Sequence, residues 1–300
     1  MGKFVGIVGV LSLLAAVPLN ASAADMPLKA PPPVGPVYNW TGFYVGGNAG
    51  YTWADPSINV LTTNAFVNTP ALSVLGATAG PAAAVASTAN IGLRNSGFIG
   101  GVQAGYNYQK GAFLVGAEAD IQGIGGTNGT STITQLAPRT GFPGDFMTAT
   151  LAVSERLNYL GTVRGRIGFL PKPNLLLYAT GGLAYGGVES STTITGGEVP
   201  PTGSSTFAGF GKVSDTRVGY TVGAGAEWKF APQWSVKAEY LYYDLGSVTY
   251  SNGAITALLA GTTIVNFTNI SSSSIRFNGN LARVGVNYEF NWDGPVLAKN

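Results

Sequence analysis

Three hundred residues with 45% hydrophobic but only 10% charged side chains, and a formal charge of +2, allow one large domain or two small ones and give no electrostatic sign of a nucleic-acid partner. The chain has no histidine and no cysteine. This removes Ser-His and Cys-His nucleophile pairs, thiolate metal sites, the commonest metal ligand and any disulfide framework, so no catalytic residue, metal site or cofactor is expected.

Forty-four glycines together with 14 Tyr, 14 Phe and 5 Trp point to an all-β chain, because glycine is costly inside helices and aromatic rings favour pleated strands. After residue 17 no run stays apolar for the roughly 18 positions that a spanning helix needs.

In chain order, Met1–Lys3 form a positive n-region, residues 4–17 an apolar core, and Ala21-Ser22-Ala23 an A-x-A site, which together describe a secretory signal peptide cleaved after Ala23. Residues 24–39 are proline-rich, with Pro31-Pro32-Pro33, and read as a linker on the periplasmic side. From Trp40 every second residue is apolar, aromatic or small, the period of a strand.

Eight strands are predicted. The first covers residues 42–53. Next come 98–108 and 113–122 around a turn near Lys110, then 157–169 and 175–185 around residues 171–174. Residues 216–230 and 234–242 form a hairpin about Pro232, which sets Glu227 opposite Lys237 as a favourable cross-strand pair. Residues 282–290 close the set. Short turns alternate strictly with long Ser-, Thr-, Asn-, Ala- and Gly-rich connections at 54–95, 123–148, 189–215 and 246–274. That segregation suits an antiparallel transmembrane β-barrel over residues 40–290, with short periplasmic turns, long extracellular loops and both termini in the periplasm. Residues 291–300 are then a periplasmic tail.

Tyr51, Trp53, Trp228, Phe230, Trp234, Tyr240, Tyr242, Tyr288 and Phe290 fall near strand ends, as interfacial girdles do. Glu118, Asp120, Arg164, Arg166, Arg217, Glu227, Lys229, Lys237, Glu239, Arg283 and Glu289 share one parity of their strands. A midplane Lys or Arg facing lipid costs about 2–4 kcal/mol, so these eleven are assigned to a lumenal charge network. Eight strands leave an interior just wide enough for side chains to fill. The network either plugs the lumen or lines a narrow pore. Loop 54–95, rich in alanine around Pro81-Ala82-Ala83-Ala84-Val85, is either a partner-binding surface or a segment folded against the barrel mouth.

The mature chain also resembles the outer-membrane immunogenic, small porin-like β-barrel proteins of rhizobia and related alphaproteobacteria. The resemblance rests on the proline-rich mature N-terminus, on residues 40–51 (WTGFYVGGNAGY), 161–168 (GTVRGRIG) and 177–185 (LYATGGLAY), and on the closing strand. It implies a surface-exposed protein of a Gram-negative outer membrane. Arg283, Gly285, Tyr288 and Phe290 in the closing strand look like the signal read by the barrel-insertion machinery, although that signal usually ends the protein and ten residues follow it here. The expected partners are outer-membrane lipid and lipopolysaccharide, and the insertion machinery during biogenesis; assembly as a homo-oligomer is left open. The leading functional reading is a non-enzymatic envelope and surface-presentation protein, with narrow-pore diffusion and loop-mediated adhesion as alternatives.

Overall fold

A computed structural model describes residues 38–67, 73–126, 128–199, 206–258 and 265–290. The signal segment with Ala21 and Ala23, the linker up to residue 37 and the tail 291–300 lie outside the described residues.

The order of elements is β1 (Gly42–Ala54), β2 (Ser57–Val67), α1 (Ser73–Ala86), β3 (Ala89–Gly92), β4 (Asn95–Lys110), β5 (Phe113–Gly125), β6 (Gly129–Pro138), β7 (Phe146–Lys172), β8 (Leu175–Val199), β9 (Thr206–Ala231), β10 (Trp234–Leu258) and β11 (Val265–Phe290). Eight of these strands form an antiparallel ring in the order β1, β4, β5, β7, β8, β9, β10, β11. The ring closes because β11 pairs back onto β1, from Phe43 opposite Phe290 to Trp53 opposite Asn280. Every strand of the ring is thus paired on both sides, the condition for crossing a bilayer with strands.

At one end the ring has tight turns. The β4–β5 hairpin reverses between Lys110 and Phe113 through Gly111, whose φ of 63° lies in the left-handed region that favours glycine. Lys172 opposite Leu175 and Ala231 opposite Trp234 mark the other two. Apolar side chains of the ring point outward, among them Phe98, Val163, Ile167 and Val218, all more than half exposed. Two aromatic belts bound this apolar band. Phe43 packs on Tyr106, Phe113 on Phe169 and Trp234 on Tyr288 at the tight-turn end, while Tyr51 packs on Phe98, Trp53 on Tyr240 and Tyr220 on Tyr242 at the other. From Phe43 to Trp53 the strand climbs roughly 33 Å, or about 25 Å along the barrel axis at a tilt of about 40°.

The four long connections are largely not loops. β7 to β11 are 25 to 27 residues long, so their upper halves rise beyond the aromatic belt. There β6 pairs with β7, β2 with β11 and β3 with β2. In the upper half of β7, Met147, Ala149, Leu151 and Val153 are buried while the intervening Thr148, Thr150 and Ser154 face out. Alternation of period two therefore continues with the chemistry of the faces exchanged, and a stretch rich in Ser and Thr is a strand whose outer face meets water. In β7 and β10 the exchange coincides with register shifts between Leu157 and Tyr159 and between Asp244 and Ser247.

Residues 54–95 fold as β2, α1 and β3. Ala79, Ala82, Ala83 and Ala86 of α1 are buried in the apolar interior of the upper storey, and the helix packs on β2, β6, β7 and β11. Of the two readings of this segment, the structure adopts the one folded against the barrel mouth.

Candidate functional site

The lumen of the ring is filled by ion pairs, some between neighbouring strands and others reaching across to the far wall. Glu118 on β5 sits at the centre: Lys237 from β10 reaches it at 2.8 Å, Arg164 at 2.5 Å, and Arg166 and Arg283 at 3.4 Å. Asp120 pairs with Arg164 and with Arg283, both at 2.8 Å. Glu239 takes Arg164 at 2.9 Å and Arg283 at 2.6 Å, and Glu227 takes Arg166 at 2.7 Å. No side chain in this set is more than 4% exposed.

Neutral groups complete the cluster. The Tyr44 hydroxyl donates to Glu118 at 2.7 Å and Tyr178 to Glu239 at 3.1 Å; Thr162 donates to Asp120 at 2.8 Å. Ser235 and Asn287 donate to Glu227 at 2.6 and 2.7 Å, and a chain of amides runs on from Asn287 through Gln103 to Asn48. The tyrosine rings fit because a neighbouring strand presents glycine: a Cβ on Gly105 would stand 2.4 Å from the Tyr44 hydroxyl, and one on Gly225 2.6 Å from that of Tyr178.

Register and pairing differ in one respect from the sequence reading. Glu227 does stand opposite Lys237 on β9 and β10, but the two ion-pair elsewhere: Lys237 crosses the lumen to Glu118, and Glu227 takes Arg166 from β7, one strand beyond its neighbour β8. β10 and β5 are diametrically opposed in the ring, and an eight-stranded lumen is narrow enough for long side chains to meet across it.

Lys229 and Glu289 form a separate pair at the tight-turn end. Arg217 stands apart from both groups. It lies ten positions up β9 from Glu227, roughly 33 Å along the strand, beyond the last β9–β10 pairing of Asp244 with Tyr220. There its guanidinium, 35% exposed, lies 3.6 Å from Asp215 and donates to the Ser247 carbonyl at 3.1 Å. Parity placed it on the inner face, but height on the strand carries it out of the lumen. Without it the ten remaining groups are five carboxylates and five cations, the neutral balance that a buried cluster requires. In the closing strand Arg283 and Gly285 point inward and Phe290 outward, its ring edge-on to that of Tyr288 at 5.2 Å.

The lumen is bounded at both ends. At the tight-turn end Trp40 is fully buried. Its indole donates to the Pro173 carbonyl at 2.9 Å, lies under the Lys229 ammonium at 4.7 Å, and packs with Leu114, Leu170, Leu176 and Tyr178. At the other end the inner face turns apolar one step above the charges, through Ile99, Ile124, Leu160, Leu241, Tyr243 and Leu281. Higher still, a hydroxyl layer links Ser190, Tyr250, Thr192 and Ser273 by contacts of 2.8 to 2.9 Å, beneath the buried face of α1.

Sequence reasoning did not single out Trp40, Tyr44 or Tyr178. The signal was present for the last two: each occupies the polar parity of its strand, between Phe43 and Val45 and between Leu177 and Ala179. An aromatic residue on a lumen-facing position is a candidate partner for buried charge.

Comparison with known proteins agrees with this architecture. The outer membrane protein beta-barrel domain family matches residues 10–290. The 31 kDa outer-membrane immunogenic protein of Brucella melitensis is 33% identical over 286 residues, covering 93% of this chain and 97% of the relative. The 22 kDa outer membrane protein of Rhizobium leguminosarum is 28% identical over 228 residues, covering 74% and 75%. Among solved structures, OprG of Pseudomonas aeruginosa aligns with 85% of this chain and 98% of its own, at 8% identity and a TM-score of 0.38. This chain is a member of the outer-membrane β-barrel family and resides in the outer membrane.

Proposed function

We propose that the protein is a sealed, non-enzymatic barrel that contributes to envelope structure and presents its upper storey at the cell surface. The observation that carries this reading is the closed lumen: a neutral cluster of ion pairs that links neighbouring strands and reaches across to the far wall, an apolar layer directly above it and Trp40 beneath it. An ion entering this path would have to break several buried pairs and then cross a largely apolar layer whose Thr52 and Tyr243 hydroxyls are already engaged with each other and with the Asn280 carbonyl, a cost of several kcal/mol for any unpaired charge. Glu118 and Asp120 are each held by at least two cations, which argues against acid–base work by that pair. Planar-bilayer recording on the folded mature protein tests the proposal. Silence from verified barrels is expected; discrete conductance steps whose ion selectivity changes when Arg164 and Arg166 are neutralised would replace the sealed scaffold by a narrow pore.

A further inference from the structure

Outside the aromatic belt, the outer wall of β6 to β9 carries a concavity of about 450 Å³ that the lumenal reading does not use. Most of its residues face outward from the sheet, with the buried Glu155 and Ser190 reaching it from the inner face. Ser154 stands beside Ser191, which stands beside Lys212, and in the next row Arg156 stands beside Glu189. Phe210, on the same outer face of β9, is 61% exposed. Within the concavity Ser154 and Ser191 share a hydrogen bond of 2.7 Å, and Glu189 accepts from Asn158 at 3.0 Å and faces Lys212 at 3.6 Å. Arg156 is exposed and donates no hydrogen bond among the described residues, leaving its fork of donors open.

We propose that this concavity binds an oligosaccharide, and that its occupant is the sugar core of the lipopolysaccharide surrounding the barrel. The chemistry is that of a sugar site. An exposed ring offers an apolar face for the C–H side of a pyranose, hydroxyls and a carboxylate accept from sugar hydroxyls, and a guanidinium and an ammonium donate to them. Its two cations, Arg156 and Lys212, stand against Glu189 and the buried Glu155, and their exposed donors suit the acidic and phosphorylated sugars of such a core. Position selects the source. The site opens sideways, not upward from the tip of the extension. It begins about 10 Å along β7 from Tyr159, whose part-exposed ring sets its hydroxyl 3.0 Å from that of Thr216. That is the layer a membrane-bound saccharide occupies. The proposal rests on the outer-membrane location and is independent of whether the lumen conducts.

The test is calorimetric titration of the full, detergent-folded protein, freed of lipopolysaccharide, with core oligosaccharide released from lipid A. Lipid A alone and inorganic phosphate serve as parallel titrants. We expect saturable binding of the core oligosaccharide, roughly tenfold weaker in Phe210→Ala and in Arg156→Gln/Lys212→Gln. Thr132→Ala, on the same outer face, should bind as the wild type does. All of these positions are exposed, and heat-shifted gel mobility verifies that each variant is folded. Absence of core binding by the folded wild type, equal binding by the variants, or binding accounted for by lipid A or by phosphate alone would overturn the proposal.

Discussion

Replacing Glu118 by glutamine keeps the shape of the side chain and removes only its charge, so the response isolates the electrostatics of the lumen. Glu118 contacts Lys237, Arg164, Arg166 and Arg283 and accepts from Tyr44. Its loss leaves the cluster with one uncompensated positive charge among side chains that water barely reaches. Removing one partner of a buried pair costs about 3–5 kcal/mol, and no cavity term adds to it, because the amide fills the same space. The second arm is Glu118→Gln/Lys237→Met. The only hydrogen bonds of the Lys237 ammonium among the described residues go to Glu118, so removing both restores neutrality. The double variant should therefore regain most of the loss instead of adding to it. Urea unfolding of the folded barrel, followed by tryptophan fluorescence and by gel mobility, reads both. A single variant within about 1 kcal/mol of wild type, or a double variant whose loss equals the sum of two separately measured singles, would refute the reasoning.

Glu155 gives a pH prediction. It lies on β7 opposite Gly129 and Ser190, above the membrane band, where burial pushes its carboxyl up to about 7, against a weaker opposing effect of Asn95. Because the folded value lies above the ordinary one of 4.5, the fold binds the extra proton and its stability falls as pH rises from about 4.5 to 7. The loss is up to about 3 kcal/mol. Urea midpoints at pH 5 and pH 8 should differ in the wild type, and Glu155→Gln should flatten that difference; an unchanged difference would exclude Glu155 as its source. Trp40→Ala should cost about 3–5 kcal/mol, as for other fully buried large aromatics, yet leave bilayers silent, since the charged and apolar layers above it remain. Gly105→Ala should cost about 1–3 kcal/mol by overpacking, because the new Cβ would stand 2.6 Å from the Ala117 carbonyl as well as against Tyr44; unfolding identical to wild type would show that the ring and backbone yield freely.

Local periodicity carried the eight ring strands, the register of Glu227 with Lys237 and the inward parity of the charges, because strand alternation is a property of neighbours in the chain. What it did not carry depends on closure. Glu118 with Arg164 and Glu239 with Arg283 follow strand register, but the remaining partners are decided across the lumen, between strands as far apart in sequence as those of Glu118 and Arg283. Arg217 shows that parity fixes a face and says nothing of height. The upper storey reads as loop in the sequence because Thr148, Thr150, Ser191 and Thr193 resemble linker chemistry. They are the outer face of strands whose inner face holds Leu151, Val153 and Ile194, an exchange expected once a barrel wall leaves lipid and enters water. α1 escaped the same reading because its small side chains are buried by β2, β6, β7 and β11, not by an amphipathic pattern of its own.

The most direct test of the sealed lumen is single-channel recording of the refolded mature protein in a planar bilayer, beside a variant with Arg164 and Arg166 neutralised. With folding verified by heat-shifted gel mobility, the wild type should give no discrete openings. Reproducible steps in the wild type, with an ion selectivity altered in the variant, would contradict the sealed barrel.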